Sequence, residues 1–297
     1  MLFQIIAPYE AKRAEALDKN TTLGIEVTVP AIAEKCGLGN IDHHGDDCDS
    51  STPSACEQAY RMFLNNIKKF DGIETVVGCM PDSDTITAMA VIEIFTNRQA
   101  RRNVCLGTVL ATVTKVGLVD RLGPAIAKEE VNDPLVAAII AVSGSRTHNL
   151  QEKIGEVILI LFDGKVSKSA SKALDEQDKL FEEAKENSKV EILDGGVVYV
   201  ESTHHAATRI GYEYGDIVIC FNPEMKNDFR DPSKGTYRKF TICKRDENVK
   251  MVIDYDTLNN LEPGWGGRTT IGGSPQGKDS ILSKEEVLSC LKLNSKD

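Results

Sequence analysis

Apolar runs of strand length alternate with helical patterns through the first half of the chain. Leu2–Ala7, Ile25–Val29 and Ile73–Cys79 are short and rich in aliphatic residues, so they predict buried strands. A helix is expected to open at Thr52, where a proline follows and apolar residues then recur every 3.6 positions. Thr85–Phe95 is apolar on nearly every face and predicts a buried helix. This alternation indicates an α/β fold, a mostly parallel sheet covered by helices.

The pattern changes in the second half of the chain. Ser167–Lys189 is highly charged with a thin apolar stripe, which predicts a solvated connecting helix. Four strand-like runs follow it, namely Val197–Val200, Ile217–Phe221, Tyr237–Cys243 and Lys250–Ile253. A last helix is predicted over Ser283–Leu293, opened by a capping box. We therefore expect an α/β domain at 1–165, a connecting helix at 166–190 and a smaller α+β domain at 191–297.

Composition and charge narrow the class of protein. The 297 residues include 35 basic and 45 acidic side chains, a net charge of −10 that disfavours binding to long nucleic acid. The densest apolar run, Leu135–Val142, has the length of a buried strand or short core helix and is far shorter than the ~20 residues that span a bilayer. The beginning of the chain does not resemble a signal peptide, and the eight cysteines include no C-x-x-C pair. We expect a cytoplasmic protein with reduced thiols and no membrane partner.

Two short segments carry residues suited to metal chemistry. Asp42, His43 and His44 are consecutive. Asp82 and Asp84 follow a predicted strand and precede a buried helix, the place where α/β proteins gather ligands. Carboxylates held this close repel unless a divalent cation lies beside them, and mixed imidazole and carboxylate ligation suits Mn²⁺, Fe²⁺ or Zn²⁺ better than Ca²⁺. The alternative is that the aspartates cap the helix and the histidines lie in a solvated loop.

Three stretches of the chain resemble the DHH phosphoesterase superfamily. NIDHHGDD with the following TPSACEQAY is similar to its Asp-His-His motif and the helix behind it. CMPDSDTITAMAVI resembles its His-x-Pro-Asp-x-Asp motif, and KFTICKRDENVKMVIDYDTLNNLEPGWGGRTTIGGSPQG resembles the DHH-associated C-terminal domain. Members are Mn²⁺-dependent hydrolases that include inorganic pyrophosphatases, exonucleases, oligoribonucleases and cyclic-dinucleotide phosphodiesterases. The resemblance implies a hydrolase of a phosphodiester or phosphoanhydride in a small nucleotide-like or short oligonucleotide substrate.

The resemblance also implies roles for individual residues. One or two divalent cations, Mn²⁺ first and Fe²⁺, Zn²⁺ or Mg²⁺ as other choices, would be bound by Asp42, His43, His44, Cys79, Asp82, Asp84 and Asp120. The three Asp-His-His residues would also be catalytic, because a metal-bound water attacks the phosphorus. The second domain would contact the substrate through Gly266, Gly267, Arg268, Gly273 and Ser274. We expect the two acidic turns at one edge of the sheet, with Arg268 facing them across a cleft between the domains.

The sequence departs from the family pattern at several points. Asp42 precedes Asp82, the reverse of the family order, which a circular permutation of the sheet would explain. Cys79 stands where the family has a histidine, so a softer metal is favoured or one metal position is lost. Ser274 also replaces a histidine, in the loop expected to contact substrate. Asp120 matches the family's further aspartate, and a plain helix-ending residue is an equal interpretation of it.

Two glycine-rich segments bear on other classes of function. Gly272–Lys278 nearly matches a phosphate-binding P-loop, yet Asp279 replaces the Ser or Thr that binds Mg²⁺ and the next helix opens too late. Gly37–Gly39 lacks the third glycine of a dinucleotide fingerprint. The alternative that remains is a non-hydrolytic nucleotide-binding or regulatory protein that keeps the DHH fold. In either case we expect a small phosphate-containing partner, and a homo-oligomer is compatible with the sequence.

Overall fold

The computed structural model describes residues 1–43, 52–65, 71–123, 133–204, 206–227, 232–245, 248–267 and 270–293. The chain divides into two compact units, Met1–Gln177 and Asp178–Asp297. The division falls within the helix that the charge pattern of Ser167–Lys189 predicts. In the described ranges, no helix has the length and apolar character needed to cross a bilayer.

The first unit contains a parallel sheet of four strands. In chain order they are β1 (Leu2–Ile5), β2 (Thr22–Ile25), β3 (Asn40–Ile41) and β4 (Thr75–Gly78). Their order in the sheet is β1-β4-β2-β3, and every pairing is parallel. Ile5 and Ile25 both lie level with Gly78, and Ile25 lies level with Ile41. The residues that follow β2, β3 and β4 therefore emerge at the same edge of the sheet.

Helices pack around this sheet and form most of the core of the first unit. They are α1 (Pro30–Ala33), α2 (Ala55–Asn65), α3 (Ser83–Thr96), α4 (Arg98–Asn103), α5 (Leu106–Leu122), α6 (Pro134–Gly144), α7 (Leu150–Asp163) and α8 (Lys168–Glu186), with a 3₁₀ segment at Pro8–Ala16. Helix α3 is buried at 11 of its 14 positions and packs against α2, α5, α6 and α7. This burial confirms the prediction from its nearly continuous apolar surface, and the α/β fold class is confirmed with it.

The second unit has a mixed sheet of six strands and a small two-stranded sheet. The strands are β5 (Lys189–Ile192), β6 (Val197–Glu201), β7 (Ile217–Lys226), β8 (Thr236–Lys244), β9 (Met251–Ile253), β10 (Gly266–Gly267), β11 (Ile271–Gly273) and β12 (Leu291–Leu293). The large sheet has the order β10-β11-β8-β7-β6-β5, and β9 pairs with β12. Short helices lie between the strands: α9 (Ala207–Gly211), α10 (Tyr255–Leu261) and α11 (Lys284–Ser289).

Most predicted elements have somewhat different bounds in the structure, and three of these differences have a visible local cause or consequence. The strand predicted at Ile25–Val29 ends at Ile25, because the next residue leaves the extended conformation. The helix expected to open at Thr52 begins at Ala55. The last helix stops at Ser289, and Leu291–Leu293 forms a strand that pairs with β9. The capping box that opens this helix is present as predicted.

Candidate metal centre

Four side chains of the first unit converge at the carboxyl edge of the parallel sheet. Glu26 follows β2 and His43 follows β3, while Asp84 lies in the first turn of α3 and Asp120 in the last turn of α5. One ligand atom from each residue lies within 4.8 Å of all the others. His43 Nε2 is 2.8 Å from Asp120 Oδ2 and 2.9 Å from Glu26 Oε1. It is 3.8 Å from Asp84 Oδ2, so three carboxylates surround one imidazole nitrogen.

Glu26 is the member of this cluster that the sequence pattern did not indicate. It lies inside an apolar run and is expected there as one more strand residue, but its φ of +50° ends the strand. A residue with a Cβ pays roughly 1–2 kcal/mol for this left-handed conformation, and such strain is concentrated at functional sites. The Thr85 hydroxyl donates to Glu26 Oε2 at 2.7 Å and ties the carboxylate to α3. The only signal in the sequence was a lone acidic residue among aliphatic neighbours.

Asp84 caps a helix and also belongs to the cluster of converging side chains. The amide N–H groups of Ala55 and Cys56 donate to its carboxylate at 2.6 and 2.9 Å, and the Ser54 hydroxyl donates at 2.9 Å. Asp84 therefore caps α2, the helix that follows the Asp-His-His segment, rather than its own helix. Asp82 caps α3, with Oδ1 accepting from the Thr85 N–H at 2.8 Å. Capping by Asp84 positions its Oδ2 toward His43 and does not exclude metal binding.

The electrostatics of the cluster follow from the crowding of negative charge. Hydrogen bonds to Asp120 and Glu26 raise the pKa of His43 to about 10. Burial and the charge of Glu26 raise the pKa of Asp84 to about 6. The same two causes raise the pKa of Asp82 to about 7, and solvent screens this effect because Asp82 is exposed. In the metal-free protein the protonated forms of Asp84 and Asp82 are favoured, and a nearby positive charge would stabilise their ionised forms.

The chemistry of the donor set fits a divalent transition metal. Three carboxylate oxygens and one imidazole nitrogen converge from elements that the sheet and two helices hold in place. Mixed oxygen and nitrogen ligation of this kind suits Mn²⁺, Fe²⁺ or Zn²⁺. A cation would replace the proton that His43 otherwise keeps and would favour the ionised form of each carboxylate. The cluster of Glu26, His43, Asp84 and Asp120 is therefore a candidate metal centre.

The raised pKa values predict how the metal-free protein responds to pH. A carboxyl group whose pKa is raised by folding stabilises the folded protein when it is protonated. For Asp84 this stabilisation is fully present below pH 3.8 and is lost as the pH rises through about 6. Asp82 acts in the same direction up to about 7, and solvent screening makes its contribution smaller. Protonated His43 also stabilises the folded protein. This stabilisation is fully present below pH 6.5 and is lost as the pH rises toward 10. We therefore expect the Tm of the chelated protein to fall from about pH 5 to about pH 8.

Thermal denaturation in the presence of a chelator measures this effect. Asp82→Asn and Asp84→Asn should each flatten the dependence of Tm on pH. Added Mn²⁺ should raise the Tm of the wild-type protein more at high pH than at low pH, because binding releases protons. A Tm of the chelated protein that rises over this range would show that other groups control its pH dependence.

Asp42 lies beside the cluster and faces a shallow pocket. Its carboxylate is half-exposed, and its backbone carbonyl accepts from the Gln58 side chain at 2.9 Å. The pocket has a volume of about 390 Å³ and is lined by Asp42, Thr52, Pro53, Gln58, Arg61, Met62 and Asn65. Asp42 and Asp82 thus emerge at the edge where the sequence predicts them, while their direct ligation of a metal stays a prediction. His44 lies outside the described residues.

Cys79 belongs to an apolar cluster and not to the group of converging ligands. It is 2% exposed and packs with Ile6, Val27 and Val77. Burial raises the pKa of its thiol, which keeps it protonated. The structure therefore does not bring Cys79 to the four-residue centre, and its expected role as a ligand finds no support in this geometry.

Packing explains why Gly267 and Gly272 of the second unit are glycines. A Cβ added to Gly272 would lie 1.8 Å from the Tyr255 hydroxyl, and one added to Gly267 would lie 2.3 Å from the Gly272 Cα. These residues form the β10–β11 hairpin together with Gly266 and Gly273. Ser274 is buried, and its hydroxyl accepts from the Phe240 N–H at 3.0 Å. This hydrogen bond joins β8 to the loop that follows β11. Contact of this loop with a substrate stays a prediction, and Arg268 lies outside the described residues.

A glycine in α5 lets this helix approach the start of α2. A Cβ on Gly117 would lie 2.5 Å from Ser54 Oγ and 2.6 Å from Glu57 Oε2. We expect Gly117→Ala to lower the free energy of unfolding by about 1–3 kcal/mol through overpacking. Because Ser54 donates to Asp84, this variant should also bind Mn²⁺ less tightly.

Urea unfolding and the Mn²⁺-induced rise in Tm test this prediction. Gly107→Ala is the matched control, because Gly107 is exposed in the same helix and a Cβ there meets no atom within 4 Å. It should be neutral or stabilise the protein slightly. Equal stability of Gly117→Ala and the wild-type protein would contradict the proposed packing.

Comparisons with known proteins add a limited likeness. No protein-family model matches the sequence, and no curated protein matches it. The chain is similar to a solved structure described as the DHH domain of a member of the s1p family of ribosomal proteins. The identity is 13% and the TM-score is 0.40, over 84% of this chain and 62% of that one. At these values the likeness carries no functional argument, and the function must be inferred from the site.

Proposed function

We propose that this protein is a metal-dependent hydrolase that cleaves a phosphodiester or phosphoanhydride bond in a small nucleotide-like or short oligonucleotide substrate. The observation that carries this proposal is the convergence of Glu26, His43, Asp84 and Asp120 at the carboxyl edge of a parallel sheet. The resemblance of the Asp-His-His and Asp-x-Asp segments to the DHH superfamily supports the same chemistry. Mn²⁺ is the cation we expect, with Fe²⁺, Zn²⁺ or Mg²⁺ as the other choices.

The four residues of the centre would bind the cation. Glu26, His43, Asp84 and Asp120 would hold the cation, which when bound supplies an acidified water and neutralises charge on phosphoryl oxygens. Asp84 is fixed by α2 and Glu26 by Thr85, so these carboxylates keep their positions before a substrate arrives.

Asp82 is the best candidate for proton transfer at this edge. In the metal-free protein its pKa is raised to about 7, and a bound cation would favour its ionised form, which can accept a proton. Oδ1 accepts from the Thr85 N–H, and Oδ2 is the atom that would carry the proton. A carboxylate exposed at this edge can act as a general base and then, once protonated, as a general acid. Asp82 can therefore take a proton from the attacking water or return one to the leaving oxygen.

The pocket beside Asp42 provides space for the organic part of such a substrate. Its volume of about 390 Å³ is in the range of small-molecule sites. Arg61 contributes a guanidinium that can pair with phosphate, and Pro53 and Met62 contribute apolar contact. Gln58 donates to the Pro53 and Asp42 carbonyls, which orders the wall of the pocket.

Reconstitution of the metal-free protein tests the proposal. One cation at a time is added, and hydrolysis of bis(p-nitrophenyl) phosphate, pyrophosphate and a dinucleotide is followed with metal content. We expect turnover with Mn²⁺ and none in Asp120→Asn. Asp163→Asn is the control, since this aspartate is exposed at the end of α7 and should not affect either readout. Wild-type protein that binds no stoichiometric metal and cleaves none of the substrates would refute the proposal.

The burial of Cys79 favours a second candidate function. A position at which the DHH family has a metal-binding histidine here contributes a protonated thiol within an apolar cluster. A nucleotide-binding or regulatory protein that does not hydrolyse its ligand would tolerate this loss. It would bind a nucleotide without turnover in every reconstituted form, and that result in the same experiment would select it.

A further inference from the structure

A second group of chemically active side chains lies where the α6–α7 turn meets the start of α8. His148 Nδ1 is 2.8 Å from Ser145 Oγ, and His148 Nε2 is 2.7 Å from Ser169 Oγ. A neutral imidazole donates from one ring nitrogen and accepts at the other. When the Nδ1–H group donates to Ser145 Oγ, Nε2 is unprotonated and accepts a hydrogen bond from the Ser169 hydroxyl.

The surroundings of Ser145 favour this tautomer. Ser145 Oγ lies 3.3 Å from the Thr147 N–H and 3.0 Å from Thr147 Oγ1, so it already serves as an acceptor in the turn. Ser145 thereby orients the imidazole, as a third group does in hydrolases with a serine nucleophile and a histidine base. The hydrogen-bonded chain runs from Ser145 through His148 to Ser169.

Ser169 is placed where negative charge is stabilised. It is the second residue of the 19-residue helix α8, and Ser167 precedes this helix with Oγ accepting from the Ala170 N–H at 3.0 Å. The first N–H groups of a helix have no acceptor within the helix, and the helix dipole is positive at this end. An oxyanion formed next to Ser169 Oγ would therefore be stabilised.

Both residues line a cleft large enough for a small ester. The cleft has a volume of about 570 Å³, and Ser169 and His148 are partly exposed in it. Gly155 leaves room along the wall, since a Cβ there meets no atom within 4 Å, and Leu159 is 48% exposed. Glu152 and Glu156 also line it. Two carboxylates and an apolar wall favour uncharged or cationic substrates and disfavour anions.

We propose that Ser169 and His148 are the nucleophile and base of an acyl-transfer site for small uncharged or cationic carboxylic esters. Ser169 Oγ bonds to the ester carbonyl carbon while its proton passes to His148 Nε2. The carbon–oxygen bond to the alcohol then breaks, and the alcohol leaves with that proton. Water hydrolyses the acyl-serine, with His148 taking the water's proton and returning it to Ser169 Oγ. This chemistry uses no metal and is independent of the phosphoesterase proposal.

Covalent labelling of the full chain in EDTA tests this site separately from the metal centre. A fluorophosphonate probe should label the wild-type protein at Ser169, as located by peptide mass spectrometry, and p-nitrophenyl acetate should be hydrolysed. Ser169→Ala should reduce both to background, and His148→Gln should slow both about 10²–10⁴-fold. Ser171→Ala is the matched control, because Ser171 is exposed in the same helix. It should react as the wild-type protein does.

The outcomes separate a nucleophile from a structural serine. Mapping on the unmodified protein does not depend on whether a variant folds, and circular dichroism checks the folding of each variant. Label at another residue, no label on folded wild-type protein, or equal rates in Ser169→Ala would overturn the proposal. Loss of phosphoesterase activity in Asp84→Asn should leave the labelling unchanged.

Discussion

Asp84→Asn should abolish Mn²⁺-dependent phosphoester hydrolysis and the Mn²⁺-induced rise in Tm. Asparagine keeps the shape of the side chain but removes the negative charge that the cation requires. Its NH2 group would also face a hydrogen-bond donor, either at the start of α2 or at His43, and could not accept from it. We expect kcat/KM to fall by at least about 10²–10³-fold, the effect of losing one charge-stabilising group. Metal analysis and differential scanning fluorimetry, with and without Mn²⁺, measure the binding part of this loss directly.

Asp82→Asn provides the informative comparison for this variant. Asp82 accepts one N–H bond at the start of α3, and its amide counterpart can still accept that bond. In the proposed function it transfers a proton, so its replacement should lower kcat and retain most of the Mn²⁺-induced rise in Tm. Equal loss of metal binding in both variants would instead make Asp82 a ligand of the cation. Wild-type hydrolysis by Asp84→Asn would remove it from the centre.

Glu26→Gln should weaken metal binding and lower the pKa of both neighbouring aspartates. The charge of Glu26 is among the causes that raise the pKa of Asp82 and of Asp84, so its removal returns both toward 3.8. The glutamine side-chain oxygen can still accept from the Thr85 hydroxyl, which preserves the link to α3. We expect Mn²⁺ affinity to fall at least 10–100-fold, the scale found when outer ligands of a metal site are removed.

Carboxyl-carbon NMR titration and metal-binding isotherms measure the two effects of Glu26→Gln. Glu34→Gln is the matched control, because Glu34 is exposed at the end of α1 and makes the same change in net charge. It should shift neither pKa nor affinity. Unchanged pKa values of Asp82 and Asp84 in Glu26→Gln would show that its carboxylate does not face them.

The sequence predicts best those features that depend on a local pattern or on a pattern that recurs along the chain. The apolar surface of Thr85–Phe95 predicts a buried helix at any position in a fold, and alternation of strands with helices predicts the parallel sheet. The parallel sheet in turn places the residues after β3 and β4 at one edge, which brings Asp42 and His43 near Asp84 without any knowledge of their contacts. The expected gathering of the two acidic turns is found in the structure.

The features that the sequence did not show depend on contacts between distant segments. Glu26 joins the centre because its backbone turns out of β2 and meets Thr85, which is far along the chain. The start of α2 is set at Ala55 by capping from Asp84, against the local preference for Pro53 in the first turn. Cys79 lies among apolar side chains of other elements and outside the four-residue cluster. Local propensity contains none of this information.

Strand order in the first unit determines when the metal centre can form during folding. β1 precedes the other strands of this sheet along the chain, yet it pairs with β4, so Leu2 cannot pair until Thr75 has been made. β4 also pairs with β2, so it lies between β1 and β2 in the sheet. Until β4 has been made, these two strands have no strand to join them. Such non-local pairing slows folding, because chain entropy is lost before contacts reward it. We therefore expect Glu26 and His43 to reach Asp84 only after the central strand β4 has paired. The cation should then bind late, and it should slow unfolding rather than accelerate folding.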